Sequence, residues 1–164
     1  MVSTAGEDPG LFPGLVIALV LAFVGCLLLR NTRGHRGTFQ WQTRLFLIAF
    51  AVRFGVSIVV YVFGLVNIIK DEDAGGWIAG KLFADQWARQ GVTFVDLPAA
   101  LLGVFDGQHL GYKYMLALFF YLTGSPYRLV AGALNAFFGA LTAVLAYRIA
   151  RSLYSEWVAV RAGW

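Results

Sequence analysis

The chain alternates long apolar runs with short polar segments. The first run, LFPGLVIALVLAFVGCLLL from Leu11 to Leu29, contains no charged residue. A helix over it would extend roughly 28 Å at 1.5 Å per residue, close to the ~30 Å hydrocarbon layer of a bilayer, so the pattern predicts a crossing helix. Pro13 falls in its first turn, where a missing N–H costs little. A second span is predicted within the run Leu45 to Ile69, which contains one charge, Arg53. An arginine inside a span marks a functional position by default, but a long stem near a helix end can carry its head to the lipid headgroups. Arg53 stands near the cytoplasmic end of this run, and snorkelling is the reading preferred here.

A third run, Leu129 to Tyr147, predicts another crossing helix, and its Gly132, Gly139 and alanines suit close helix packing. Between the second and third runs the pattern changes. In WIAGKLFADQWARQG, Lys81, Asp85 and Arg89 recur at i, i+4 and i+8, with Ile78, Ala79, Leu82, Phe83 and Gln86 or Trp87 on the other side. That periodicity predicts an amphipathic helix lying flat in the membrane interface and stopping at Gly91. Asp96 is placed to cap a second short helix with Pro98 in its first turn. The apolar core of Leu110 to Gly124 runs only from Tyr114 to Leu122. It is too short for an ordinary span and reads as interfacial or re-entrant, with a short true span closed by the Gly-Ser-Pro turn as the alternative.

The composition agrees. The chain is 59% hydrophobic and 13% charged, about half the charge of a soluble domain, with a mean hydropathy of +0.70. The fold class expected is therefore all-α, a multi-pass helical membrane protein with amphipathic juxtamembrane helices in its first outer loop. The net charge of +4 does not signal nucleic acid, because the arginines sit at the ends of apolar runs without interleaved aromatics. Arg30, Arg33, Arg36 and Arg44 between the first two runs, and Arg148, Arg151 and Arg161 after the third, place both segments in the cytoplasm by the positive-inside rule. Met1 then lies outside, and so does the stretch Lys70 to Gly124 with most of the acids. The localisation expected is a plasma membrane of bacterial inner-membrane type. The N-terminus lacks the basic start of a signal peptide, so the first run reads as a retained span. Cys26 is the sole cysteine, which excludes an internal disulfide and a cysteine-based metal site.

The candidate chemistry starts at IKDEDAGGWIAG. Asp71, Glu72 and Asp73 follow the second run directly. Acids there are commonly only the wet end of a helix. Here they are consecutive, a Gly75-Gly76 pair lets the chain turn, and an amphipathic helix begins at once. A carboxylate held at headgroup level can take a proton from a hydroxyl, or hold a divalent cation such as Mg or Mn against a phosphate. His109 and Arg128 flank the short apolar segment on the same outer side, where a cation can neutralise a departing phosphate. Their plainer roles are a solvated loop histidine and an interfacial anchor. No nucleotide-loop, zinc-protease, nucleophile-elbow or dinucleotide motif is present.

This order of parts resembles the N-terminal region of the GT-C glycosyltransferases, multi-pass enzymes related to protein O-mannosyltransferases and lipid A aminoarabinose transferases. In that superfamily an early span ends in an acidic motif and flat juxtamembrane helices follow. That motif is often Asp-Glu-x-x-Tyr or Asp-x-x-Gly-Tyr; DAGGW, Asp73 to Trp77, is similar to it with Trp in place of Tyr, and Asp71-Glu72 offers a second register. From HLGYKYMLALFFYLTGSPYRL to AYRIARSLYS the chain is similar to the family's aromatic-rich helix, Gly-Ser/Pro turn, Arg-Leu opening, small-residue span and Tyr-x-x-Ala-Arg-x-Leu exit. Arg128, Leu129, Asn135, Gly139, Tyr147, Ala150 and Arg151 stand at the expected places. The resemblance implies a sugar transfer from a polyprenyl-phosphate donor at the outer face. Asp73, or Asp71, would be the catalytic base, and Glu72, His109 and Arg128 would contact substrate. Asp71 and Asp73 would be the ligands of any divalent cation. It also implies two parts: residues 1–44, an added first helix with a basic loop, and residues 45–164, the start of a GT-C-like domain whose later spans lie beyond Trp164. The reading from a different class is a small non-catalytic membrane protein acting as a subunit or assembly partner.

Overall fold

In the computed structural model, residues 10–31, 36–65, 74–92, 96 and 110–163 are described. Among them the regular structure is helical, in six α-helices: α1 (Leu11–Asn31), α2 (Arg36–Val62), α3 (Ala74–Gln90), α4 (Leu110–Thr123), α5 (Arg128–Leu153) and α6 (Glu156–Gly163). Three of these are long and apolar enough to cross a membrane: α1, α2 over Gln40–Tyr61, and α5.

The three long helices form one bundle around α5. Small residues set how closely they approach. A Cβ on Gly14 would lie 2.7 Å from Leu129 Cβ, so the start of α1 sits against the start of α5 and the two run parallel. A Cβ on Gly25 would overlap the Phe46 ring, so the end of α1 meets the early part of α2. Helix α2 runs antiparallel to α5: Arg148 donates two hydrogen bonds to Gln42 Oε1, at 2.6 and 3.0 Å, and Ser57 lies on Gly132. Phe46, Phe50, Phe54, Phe137, Ala140 and Tyr147 fill the space between them. The outer surface of α1 stays apolar, with Phe12 79% and Leu19 73% exposed. After α5 the chain turns at Tyr154 and Ser155, and α6 packs back on α5, fixed by Arg151–Glu156 at 3.2 Å and by Tyr147 donating to Glu156 Oε1 at 3.0 Å.

Two expectations change. Helix α2 begins at Arg36, well before Leu45, and ends at Val62. Most of the basic connector is therefore helix, because hydropathy marks where apolar surface ends and not where backbone hydrogen bonding ends. The consequence falls on Arg53. Its side chain does not run to the arginine-rich end of the bundle but lies over Gly139, mid-way along α5.

Helices α3 and α4 form a second close-packed unit. Gly76 faces Tyr112, Gly80 faces Leu116 and Ala117, and the Tyr121 hydroxyl donates to Val92 O at the far end. Residue numbers rise together along both helices, so the pair is parallel. The buried face of α3 is Gly76, Trp77, Gly80, Ala84 and Trp87. The predicted apolar side is thus rotated: Leu82 is 63% exposed and Ile78 is exposed beside Asp85 and Arg89. Asp96 is a turn residue, and Pro98, with the helix it was expected to start, lies outside the described residues.

Candidate functional site

The α3–α4 pair meets the bundle at the N-terminal end of α5, through large side chains. Trp77, in the first turn of α3, packs with Leu116 and Phe120 of α4 and with Val130, Ala131 and Leu134 of α5. Arg128, the first residue of α5, lays its guanidinium over the Trp77 ring, 4.7 Å from the centroid, and Lys81 Nζ lies 5.6 Å from the same ring. Both cations are attracted by the negative quadrupole of the indole ring. The indole Nε1 is buried, and no acceptor among the described residues bonds it. Two turns farther along α5, Asn135 Nδ2 donates to the Tyr112 hydroxyl at 2.8 Å, tying α4 to α5.

Behind this corner lies an aromatic cluster. Tyr114 stacks with Trp87 and packs against Phe83, and Tyr121 meets Trp87 edge-on. Burial among these rings pushes the Tyr114 phenol above its ordinary value. The cluster makes α3 and α4 a rigid platform beneath Trp77 and Arg128.

Of the residues singled out from the sequence, Arg128 is described, and it is half-buried against Trp77. Asp71, Glu72, Asp73 and His109 lie outside the described residues. Asp73 precedes Ala74, the first residue of α3, by one position. No group of three metal-ligating side chains occurs among the described residues, and the candidate cation ligands Asp71 and Asp73 are not among them. The arrangement can present positive charge and aromatic surface where the segment carrying the acids enters α3. Sequence reasoning missed Trp77 as a partner of Arg128, Lys81 as a second cation there, and Tyr112 as the bond to Asn135. The signal available was the aromatic-cation spacing Trp77 to Lys81, i to i+4 on one helix face.

No protein-family model, curated protein or solved structure matches the chain.

Proposed function

We propose that this chain is a multi-pass membrane protein and the N-terminal part of a GT-C-like glycosyltransferase, transferring a sugar from a polyprenyl-phosphate-linked donor to an acceptor at the outer face. The observation that carries the reading is the stack of Arg128 on Trp77. Trp77 closes the acidic motif and Arg128 opens the Arg-Leu span, so two stretches that carry the resemblance, distant in sequence, meet at one corner. Charge distribution supports the orientation. The register of the bundle gathers the ends of α1 and α5 and the early part of α2, with Arg30, Arg44, Arg148 and Arg151, at the end opposite the α3–α4 pair. That end is cytoplasmic, and the platform faces outward.

In this reading Asp73, or Asp71 in the other register, removes the proton of the attacking hydroxyl. Arg128 and His109 neutralise the phosphate as it departs, and Glu72 contacts substrate. If a divalent cation takes part, Asp71 and Asp73 are the carboxylates to hold it. The membrane lipid and the donor lipid are the partners.

The test is transfer from a labelled polyprenyl-phosphate sugar by membranes holding the full-length protein, with Asp71→Asn and Asp73→Asn compared with wild type. One substitution should cut transfer at least a hundredfold, the scale of a general base, while membrane insertion is unchanged. Undiminished transfer in both variants removes the catalytic assignment and leaves the assembly-partner reading.

A further inference from the structure

We infer that Arg53 is the docking point for a further membrane-embedded helix that carries a carboxylate, seated along the α2–α5 junction beyond the end of α6. This rests on the multi-pass reading above.

The position of the charge is the first observation. Within the crossing segment Gln40–Tyr61, Arg53 is eight residues from Tyr61, about 12 Å along the axis. A helical Cβ tilts toward the N-terminus, which for α2 is the farther end. The guanidinium follows that tilt and packs on Gly139: a Cβ there would lie 2.6 Å from Arg53 Nε. Gly139 is itself eleven residues from Arg128 and fourteen from Leu153 in α5. The head group is thus held well inside both long helices, away from their ends.

The second observation is its surroundings. Arg53 is exposed, and among the described residues no acceptor is bonded to its guanidinium; only its backbone carbonyl is engaged, by Ser57. Asn135, Gly139 and Thr142 recur at i, i+4 and i+7, so one exposed face of α5 beside the charge is polar, although the Asn135 amide donates to Tyr112 and the Thr142 hydroxyl to Phe138 O. Valines 52, 56 and 59 of α2 and Phe138 and Leu145 of α5 are also exposed and flank this line. A charge in mid-span is retained in membrane proteins where it faces protein or a watery cavity and finds a counter-charge. A carboxylate on a neighbouring helix supplies that at the right depth, and the valines and leucine give its apolar stem a surface.

The third observation is that one end of this junction is already filled. Gly163, at the end of α6, lies against Leu45 of α2 and against Tyr147 and Ala143 of α5. Arg53 opens onto the same junction one turn of α5 farther on, at Gly139. Helix α6 thus occupies the arginine-rich end, and the next stretch of the groove carries a cation with no acceptor among the described residues.

The test uses the chain reconstituted in phosphatidylcholine vesicles and three synthetic Leu/Ala crossing helices, with Asp, Leu or Lys at the central position. Binding is read by energy transfer. Wild type should bind the Asp helix about tenfold more tightly than the Leu helix, on the scale of polar pairs in membranes. Arg53→Met should bind both alike, and Arg53→Asp should instead prefer a helix with a central Lys. Equal binding of the Asp and Leu helices by wild type overturns the inference, since the guanidinium is then satisfied by lipid or by its own chain. Alkaline carbonate extraction separates the two failures: release of the chain from the vesicles overturns the membrane reading and this inference with it, whereas retention with equal binding overturns this inference alone.

Discussion

The α1–α2–α5 bundle and the α3–α4 pair are both close-packed helical units, yet they are held in different ways. In the bundle, glycines and alanines let backbones approach and phenylalanines fill the gaps. Its outer surface is left apolar, with Leu19, Phe23 and Leu28 exposed. Between helices in lipid there is no hydrophobic driving force, so shape and dispersion contacts must hold such a unit together. The pair also has its glycines, Gly76 and Gly80, but its interior is Trp87, Tyr114 and Tyr121, rings with polar ends, and its edge carries Lys81, Asp85 and Arg89. Aromatic rings with polar tips belong where one end is dry and the other wet. On the membrane reading proposed above, the contrast is one apolar composition serving two environments, with the candidate site at their border, where Trp77 and Arg128 meet.

The comparison can be broken from either side. The largest effect is expected in the bundle. Phe46 is fully buried between α1, α2 and α5, and Phe46→Ala should cost about 3–5 kcal/mol, read as resistance to denaturing detergent. The α3–α4 unit should stay folded in that variant, as hydrogen exchange on α3 will report. Gly80→Leu attacks the other unit. Its Cβ would sit 2.9 Å from Leu116 Cβ and 3.4 Å from the Ala117 nitrogen, and the backbone cannot yield as a side chain tip can. The cost should be about 1–3 kcal/mol, with faster exchange in α3 and α4 and little change in α5.

Two smaller changes sharpen the border itself. Arg128→Met removes the cation from the Trp77 ring while keeping an apolar stem, and should loosen the joint by about 0.5–2 kcal/mol. Trp77 fluorescence, isolated by replacing the other tryptophans with Phe, should shift as the ring gains solvent. Tyr112→Phe loses the bond from Asn135 and should cost about 0.5–1.5 kcal/mol, loosening α4 from α5 without disturbing its packing on α3.

Much of the bundle was legible because an uninterrupted apolar run has one reading. Helix α1 begins at Leu11 as the pattern predicts and extends only to Asn31. Helix α2 was misplaced toward its C-terminal side because residues 36–44 are polar yet helical, and that error hid the depth of Arg53. The face of α3 was misread because hydropathy favours Leu82 over Gly80 and Ala84. Small residues win the buried face there because the α4 backbone comes within reach of them. At the site, Arg128 was visible as a cation opening a span, but its partner was not. The contact to Trp77 joins segments far apart in the chain, and nothing local to either residue announces the other.

The most direct measurement asks which side of the membrane the platform faces. In a chain with Cys26→Ala, single cysteines are placed at Ser125, beside the α3–α4 platform, and at Ser155, beside the arginines, and an impermeant thiol reagent is added from outside. The account predicts labelling at position 125 from the outside, and at position 155 only after the membrane is opened. Label reaching position 125 only from the cytoplasmic side would contradict it, because Arg128 and the acids before α3 would then face away from an outer donor.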